Sequence, residues 1–133
     1  MQQKYILDEQ AIDAILTTAR QEAKKQQWAV TISIVDEGGH PLGLLRMDGA
    51  APMSALIAQE KAKTAALSRK ETLVYETMIK QGRTAFLSTP LQGLLEGGLP
   101  IIIEGHCIGA VGVSGLASDL DAQLARLAIA SIL

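Results

Sequence analysis

Residues 99–114 read LPIIIEGHCIGAVGVS, two apolar runs, Leu99 to Ile103 and Cys107 to Ser114, on either side of Glu104-Gly105-His106. Branching at Cβ stiffens χ1 and suits a pleated surface better than a helix. A glycine-bearing break between two such runs marks a hairpin. The Gly97-Gly98 turn leads into it, so the C-terminal half of the chain carries an antiparallel pair.

A second pair is legible upstream. From Ala29 to Val35, Val30, Ile32 and Ile34 alternate with Thr31, Ser33 and Val35. Neither set is strongly polar, which implies a strand covered on both faces, with helices above and below the sheet. Asp36-Glu37-Gly38-Gly39-His40 has the composition of a tight turn, and Pro41 to Met47 returns antiparallel.

The helices follow from the 3.6-residue period. Ile12, Ile15, Leu16, Ala19 and Ala23 form a stripe after the N-cap candidate Asp8, while Asp13, Arg20, Glu22, Lys24 and Lys25 fill the polar face to about Gln26. Ser54 to Leu67 carries an alanine face, Ala55, Ala58, Ala62 and Ala65, that permits close approach to a neighbour. Ser68-Arg69-Lys70-Glu71 has capping-box form and predicts a third helix through Leu73, Val74, Met78 and Ile79, ended by Gly82. Thr89-Pro90 breaks regular structure, and Gly93-Leu94-Leu95 reads as a short edge strand. Ser118 or Asp119 caps a last helix with Leu120, Leu124, Leu127 and Ile129. With no repeat, linker or low-complexity segment, residues 1–133 read as a single domain.

Composition excludes several classes of function. A formal net charge of -2 gives no basic field for a phosphate backbone, so nucleic acid is not an expected partner. The one cysteine, Cys107, rules out an internal disulfide and a multi-cysteine metal site, which suits a reducing cytoplasm. No stretch approaches the roughly 18 apolar residues of a spanning helix, so no membrane is expected. Aromatic residues make up only 3% of the chain, so the core is built from Ala, Val, Ile and Leu.

No catalytic centre stands out. His40 and His106 fall in turns without HxH or HExxH spacing and read as solvated, and no metal site is expected. Cys107 beside His106 points to the opposite face of a strand, which suits a small buried hydrophobe better than a nucleophile with its base. The glycines of Gly-Ala-Val-Gly-Val-Ser-Gly at 109–115 lack the order of a dinucleotide loop. The most suggestive combination is Arg46-Met47-Asp48 with Lys61 and Thr64 on the second helix. Two cations there could hold a carboxylate or a haem propionate in a cleft between the strand ending at Arg46 and the helix carrying Lys61. Gly97, Gly98 and Gly115, where a backbone can approach a ligand closely, complete the candidate binding set.

Val-Asp-Glu-Gly-Gly-His at 35–40, Arg-Met-Asp at 46–48, Gln-Glu-Lys-Ala-Lys-Thr-Ala-Ala at 59–66, Gly-Arg-Thr-Ala-Phe at 82–86, Glu-Gly-Gly-Leu-Pro at 96–100 and the 109–115 segment together resemble the GlcG/HbpS/PduO C-terminal family over nearly the whole chain. The resemblance implies an α+β, profilin-like three-layer fold with a five-stranded antiparallel sheet of order 2-1-5-4-3. It also implies a homo-oligomer, a dimer or larger. Its functional expectation is an accessory small-molecule-binding protein associated with glycolate utilisation, with haem or another tetrapyrrole as ligand. Two alternatives stay open. One is an enzyme for a hydroxy- or oxo-carboxylic acid, with Lys61 or Asp48 as acid/base and Arg46 on the carboxylate; the other is an assembly partner of glycolate-metabolising enzymes.

Overall fold

A computed structural model describes residues 1–133. The elements are α1 (Glu9–Lys25), β1 (Thr31–Asp36), β2 (Pro41–Arg46), α2 (Pro52–Ser68), α3 (Leu73–Lys80), a 3₁₀ turn (Thr84–Ser88), β3 (Gly98–Ile103), β4 (His106–Ser114) and α4 (Ser118–Ala130). Asp8 caps α1 as its sequence position predicts, its carboxylate accepting the Ala11 N–H at 2.9 Å.

Both predicted hairpins form, and β1 and β4 pair antiparallel in the middle of the sheet, Thr31 opposite Ser114 and Ile34 opposite Val111. Val30, Ile32 and Ile34 face the main core, which they share with Val111 and Val113, with Ile15, Ala19 and Ala23 of α1 and with Leu124, Ala125 and Ala128 of α4. The opposite face of β1 and β4 takes α2, through Val35 and Ala110 against Ala62, Ala65 and Ala66. A buried hydrogen bond of 2.8 Å between Thr31 Oγ1 and Ser54 Oγ ties that second face to the start of α2. The chain is therefore α+β with three layers, α1 and α4 on one side of the sheet and α2 on the other.

The sheet has four strands in the order β2-β1-β4-β3, which corrects the five-stranded 2-1-5-4-3 arrangement implied by the resemblance. Gly93-Leu94-Leu95 does not form the edge strand. Its backbone is committed elsewhere. Gly93 donates its N–H to Thr64 Oγ1 at 3.1 Å, and a Cβ at this position would lie 2.2 Å from the Glu60 carbonyl oxygen of α2. At the outer edge of β3 the chain before α3 takes the place a fifth strand would need. Thr72 donates its N–H to the Gly98 carbonyl at 3.0 Å, and Thr72 Oγ1 accepts the Gly98 N–H at 2.9 Å. A strand edge satisfied by a threonine leaves little for another strand to pair with.

The capping box read at Ser68-Arg69-Lys70-Glu71 is also corrected. Ser68 is the last residue of α2, and Arg69 behind it turns left-handed (φ 60), so α3 begins only at Leu73.

Close approach of α2 to the sheet depends on glycine. A Cβ at Gly112 would sit 2.1 Å from the Ala58 carbonyl oxygen and 2.6 Å from the Ala62 nitrogen. The obstacle is helix backbone, which cannot swing aside as a side chain can. Gly112→Ala is therefore expected to destabilise the fold by about 3 kcal/mol, the upper range for overpacking a core. Urea unfolding measures this, and a variant as stable as the parent would contradict the packing described.

Candidate functional site

The seven residues singled out in the sequence do not share one place. Lys61 lies inside the protein, 3% exposed, in the middle of α2. Its Nζ donates to Asp121 Oδ2 at 3.0 Å and to the Val113 carbonyl at 3.0 Å. Asp121, in the first turn of α4, also accepts the Leu116 N–H at 3.0 Å through Oδ1. Both charges of this pair are buried and hydrogen-bonded, the condition under which a buried ion pair is tolerated.

Thr64, Gly97 and Gly98 belong to the same neighbourhood. Thr64 is buried and holds the Gly93 N–H. A Cβ at Gly97, where φ is 132°, would fall 2.7 Å from Lys61 Nζ, and one at Gly98 would fall 2.3 Å from the Lys61 carbonyl oxygen. These glycines allow close approach by α2 rather than by an open cleft. Gly115 (φ 134°) meets Ala29 and Val30 at the entry to β1, away from that cluster.

Arg46 and Asp48 have a different setting. β2 ends at Arg46, whose Nε donates to the Ala50 carbonyl at 3.2 Å, and Met47 donates its N–H to Val30 at 2.9 Å. The turn through Gly49 (φ 85°) then closes with Ala50 donating to Met47. On the neighbouring side, Gln27 behind α1 is left-handed (φ 61°), and Trp28 donates back to the Ala23 carbonyl at 2.8 Å. This helix-terminating reversal brings Trp28 beside the end of β2. Together Arg20 and Lys24 of α1, Gln27, Trp28, Leu45, Arg46, Met47 and Asp48 line an open hollow of about 430 Å³. Three cations and one carboxylate surround an apolar patch made by Trp28, Leu45 and Met47. The cleft expected between Arg46 and α2 is thus lined from α1, and Lys61 is not among its residues.

Sequence reading placed Arg20 and Lys24 only on a solvated helix face. Their one-turn spacing is the signal that could have joined them as a cationic pair. Asp121 had no signal at all, because its partner lies 60 residues away.

A second hollow, about 520 Å³, lies between α3 and the segment before β3, walled by Ile79, Leu87, Leu91, Leu94 and Leu95. Its one cation, Lys80, is already paired with Glu76 at 3.2 Å, and it contains no His, Cys, Met or Tyr. It is larger but chemically poorer. Elsewhere, Cys107 is buried, its Sγ donating to the Gly109 carbonyl at 3.3 Å. No helix is long and apolar enough to cross a membrane.

The fold and the rim hollow define a class: an α+β protein whose sheet, sandwiched between helices, opens at one edge into a cationic, aromatic-lined hollow. The chain belongs to the HbpS-like family, described as haem degrading protein HbpS-like, which it matches over residues 7–130. It is 53% identical over 114 residues to Protein GlcG of Escherichia coli K12, covering 86% of this chain and 85% of that protein. Among solved structures it is similar to a PduOC:heme complex, with 29% identity and a TM-score of 0.87, covering 96% of this chain and 95% of that one. It is also similar to a double mutant of HbpS from Streptomyces reticuli, with 32% identity and a TM-score of 0.89, covering 100% and 91%.

The buried pair makes a prediction about acid. Burial raises the Asp121 carboxyl above its ordinary value, against the opposing pull of the Lys61 ammonium and the Leu116 N–H. A folded pKa above the unfolded one means that the folded chain holds this proton more tightly. The group's contribution to stability is therefore full below its unfolded value and is lost as pH rises through the raised value. The stability difference between the parent and Asp121→Asn, followed by urea unfolding from acid to neutral pH, should fall across that window and stay level above it. A difference that grows with pH would contradict the assignment.

Proposed function

We propose that residues 1–133 form an accessory small-molecule-binding protein of the cytoplasm that holds haem or another tetrapyrrole in the hollow beside Arg46. The observation that carries this reading is the lining itself: Arg20, Lys24 and Arg46 around Trp28, Leu45 and Met47. A tetrapyrrole is an apolar disc with carboxylates on its edge, and the two parts need different partners. Guanidinium and ammonium groups pair with the carboxylates, Arg in a planar fork and Lys as a point charge. Trp28 offers an aromatic face and Leu45 an aliphatic one. The Met47 thioether is a recognised haem-iron ligand type, so the residues present fit the group.

Asp48 offsets part of the positive charge at the rim and so tunes how many ligand carboxylates the hollow accepts. Bound haem would supply a redox-active iron, while the chain's own part is to bind and orient it. The haem-related description of the family and the haem complex of PduOC support this ligand class. A place beside glycolate-utilising enzymes is the expectation that the likeness to GlcG adds.

Titration with haemin, followed by the Soret band, tests the proposal. Arg20→Ala and Arg46→Ala should each weaken binding by roughly tenfold, the loss of one charge-assisted contact. Lys80→Ala, in the other hollow, should leave it unchanged. Absence of a saturable shift in the parent, or equal weakening by all three substitutions, would reject the site.

A further inference from the structure

Glu76, Ile79 and Lys80 share one face of α3 through their i, i+3, i+4 spacing. With Leu87 of the 3₁₀ turn and Leu91, Leu94 and Leu95 of the segment before β3, they line the hollow of about 520 Å³. That segment is fastened to the interior. Thr72, just before α3, donates its hydroxyl to the Leu95 carbonyl, and Gly93 donates its N–H to Thr64 of α2 at 3.1 Å. A hollow of this size falls within the roughly 300–1,000 Å³ of small-molecule sites.

We propose that this hollow is a second binding site, for a primary amine carrying an alkyl chain, with the chain on the leucines and the ammonium on the Glu76 carboxylate. The walls choose the body of the ligand. All five apolar residues of the lining are aliphatic, and Leu87 and Leu95 are 61% and 47% exposed. The neighbouring rings of Tyr75 and Phe86 stack on each other, centroids 4.8 Å apart, and are not part of the lining. An alkyl chain gains from such walls by leaving water, whereas a flat aromatic ligand finds no ring to stack on.

Charge chooses the head group. Glu76 is the held member of its ion pair: its side chain is 14% exposed, Oε1 accepts the Glu96 N–H at 3.4 Å, and Oε2 accepts from Lys80 Nζ at 3.2 Å. Lys80 is 74% exposed, and an ion pair with so solvated a member is weak. A ligand ammonium can therefore replace Lys80 on a carboxylate that stays in place. A ligand carboxylate would meet only the solvated lysine, with the Glu76 carboxylate beside it. The Arg46 hollow is the reverse, three cations about an aromatic ring, so the two hollows select ligands of opposite charge.

Isothermal titration calorimetry of the full chain with butylamine, hexylamine and octylamine hydrochlorides tests the proposal. Octylamine should give a saturable heat, and affinity should fall about fourfold for each methylene removed. Glu76→Gln, which keeps an acceptor for the Glu96 N–H, should weaken octylamine binding about tenfold, the loss of one charge-assisted contact. Lys80→Ala removes the resident ammonium at an exposed position and should strengthen binding severalfold. Unchanged thermal melting of both variants separates lost binding from unfolding, and the Lys80→Ala result decides if Glu76→Gln melts early. No saturable heat with octylamine, affinity independent of chain length, or weaker binding by Lys80→Ala would each overturn the proposal. Octanoate binding that Lys80→Ala abolishes would also overturn it, by assigning the hollow to anions. Haemin titration reads the Arg46 hollow and amine titration reads this one, so the two proposals fail independently.

Discussion

The buried pair of Lys61 and Asp121 is the contact on which the arrangement of helices turns. Lys61 projects from the centre of α2 and Asp121 from the first turn of α4, so one ion pair of 3.0 Å joins elements on opposite sides of the sheet. The Val113 carbonyl at the end of β4 and the Leu116 N–H in the turn beyond it complete the coordination. Such a pair gains little over a well-packed apolar substitute, because both charges give up water. Losing one member is far worse, since the other is then buried alone. The pair is therefore better understood as a device that fixes geometry than as a source of net stability. It sets where α2 lies along the sheet and where α4 begins.

Glycine makes that position reachable. Gly98 and Gly112 of the sheet and Gly93 before it each bring backbone within a Cβ-forbidding distance of α2 carbonyls. Four of the buried polar side chains are spent on this joint, Lys61 on Asp121, Thr64 on Gly93 and Thr72 on Gly98. The cations left outside this joint lie at the periphery. At the far edge of the sheet Arg46 makes one hydrogen bond, to Ala50, and with Arg20 and Lys24 it faces an open hollow.

Local patterns were readable and distant ones were not. The two hairpins, the Asp8 cap and the burial of Cys107 are written in adjacent residues, and each appears as the sequence indicates. Arg46 and Asp48, two positions apart across a turn, line one hollow, which α1 and not α2 completes. Lys61 was visible as a cation of interest, but its direction was not, because periodicity cannot tell a lysine that meets solvent from one that meets a carboxylate 60 residues on. The fifth strand failed for a related reason. Gly93-Leu94-Leu95 looks extended in isolation, and only the approach of α2 and Thr72 shows that its backbone and the β3 edge are already engaged. At Ser68 a correct capping pattern was outweighed by continuation of α2 to that residue.

A double-mutant cycle on Lys61 and Asp121 tests the structural claim most directly. Lys61→Met, Asp121→Leu and the combined variant are compared with the parent by urea unfolding. Each single change should cost about 3–5 kcal/mol, whereas the combined change, which removes both charges, should recover most of that loss. Costs that simply add in the combined variant would show that the two side chains act independently and would contradict the role given to their contact.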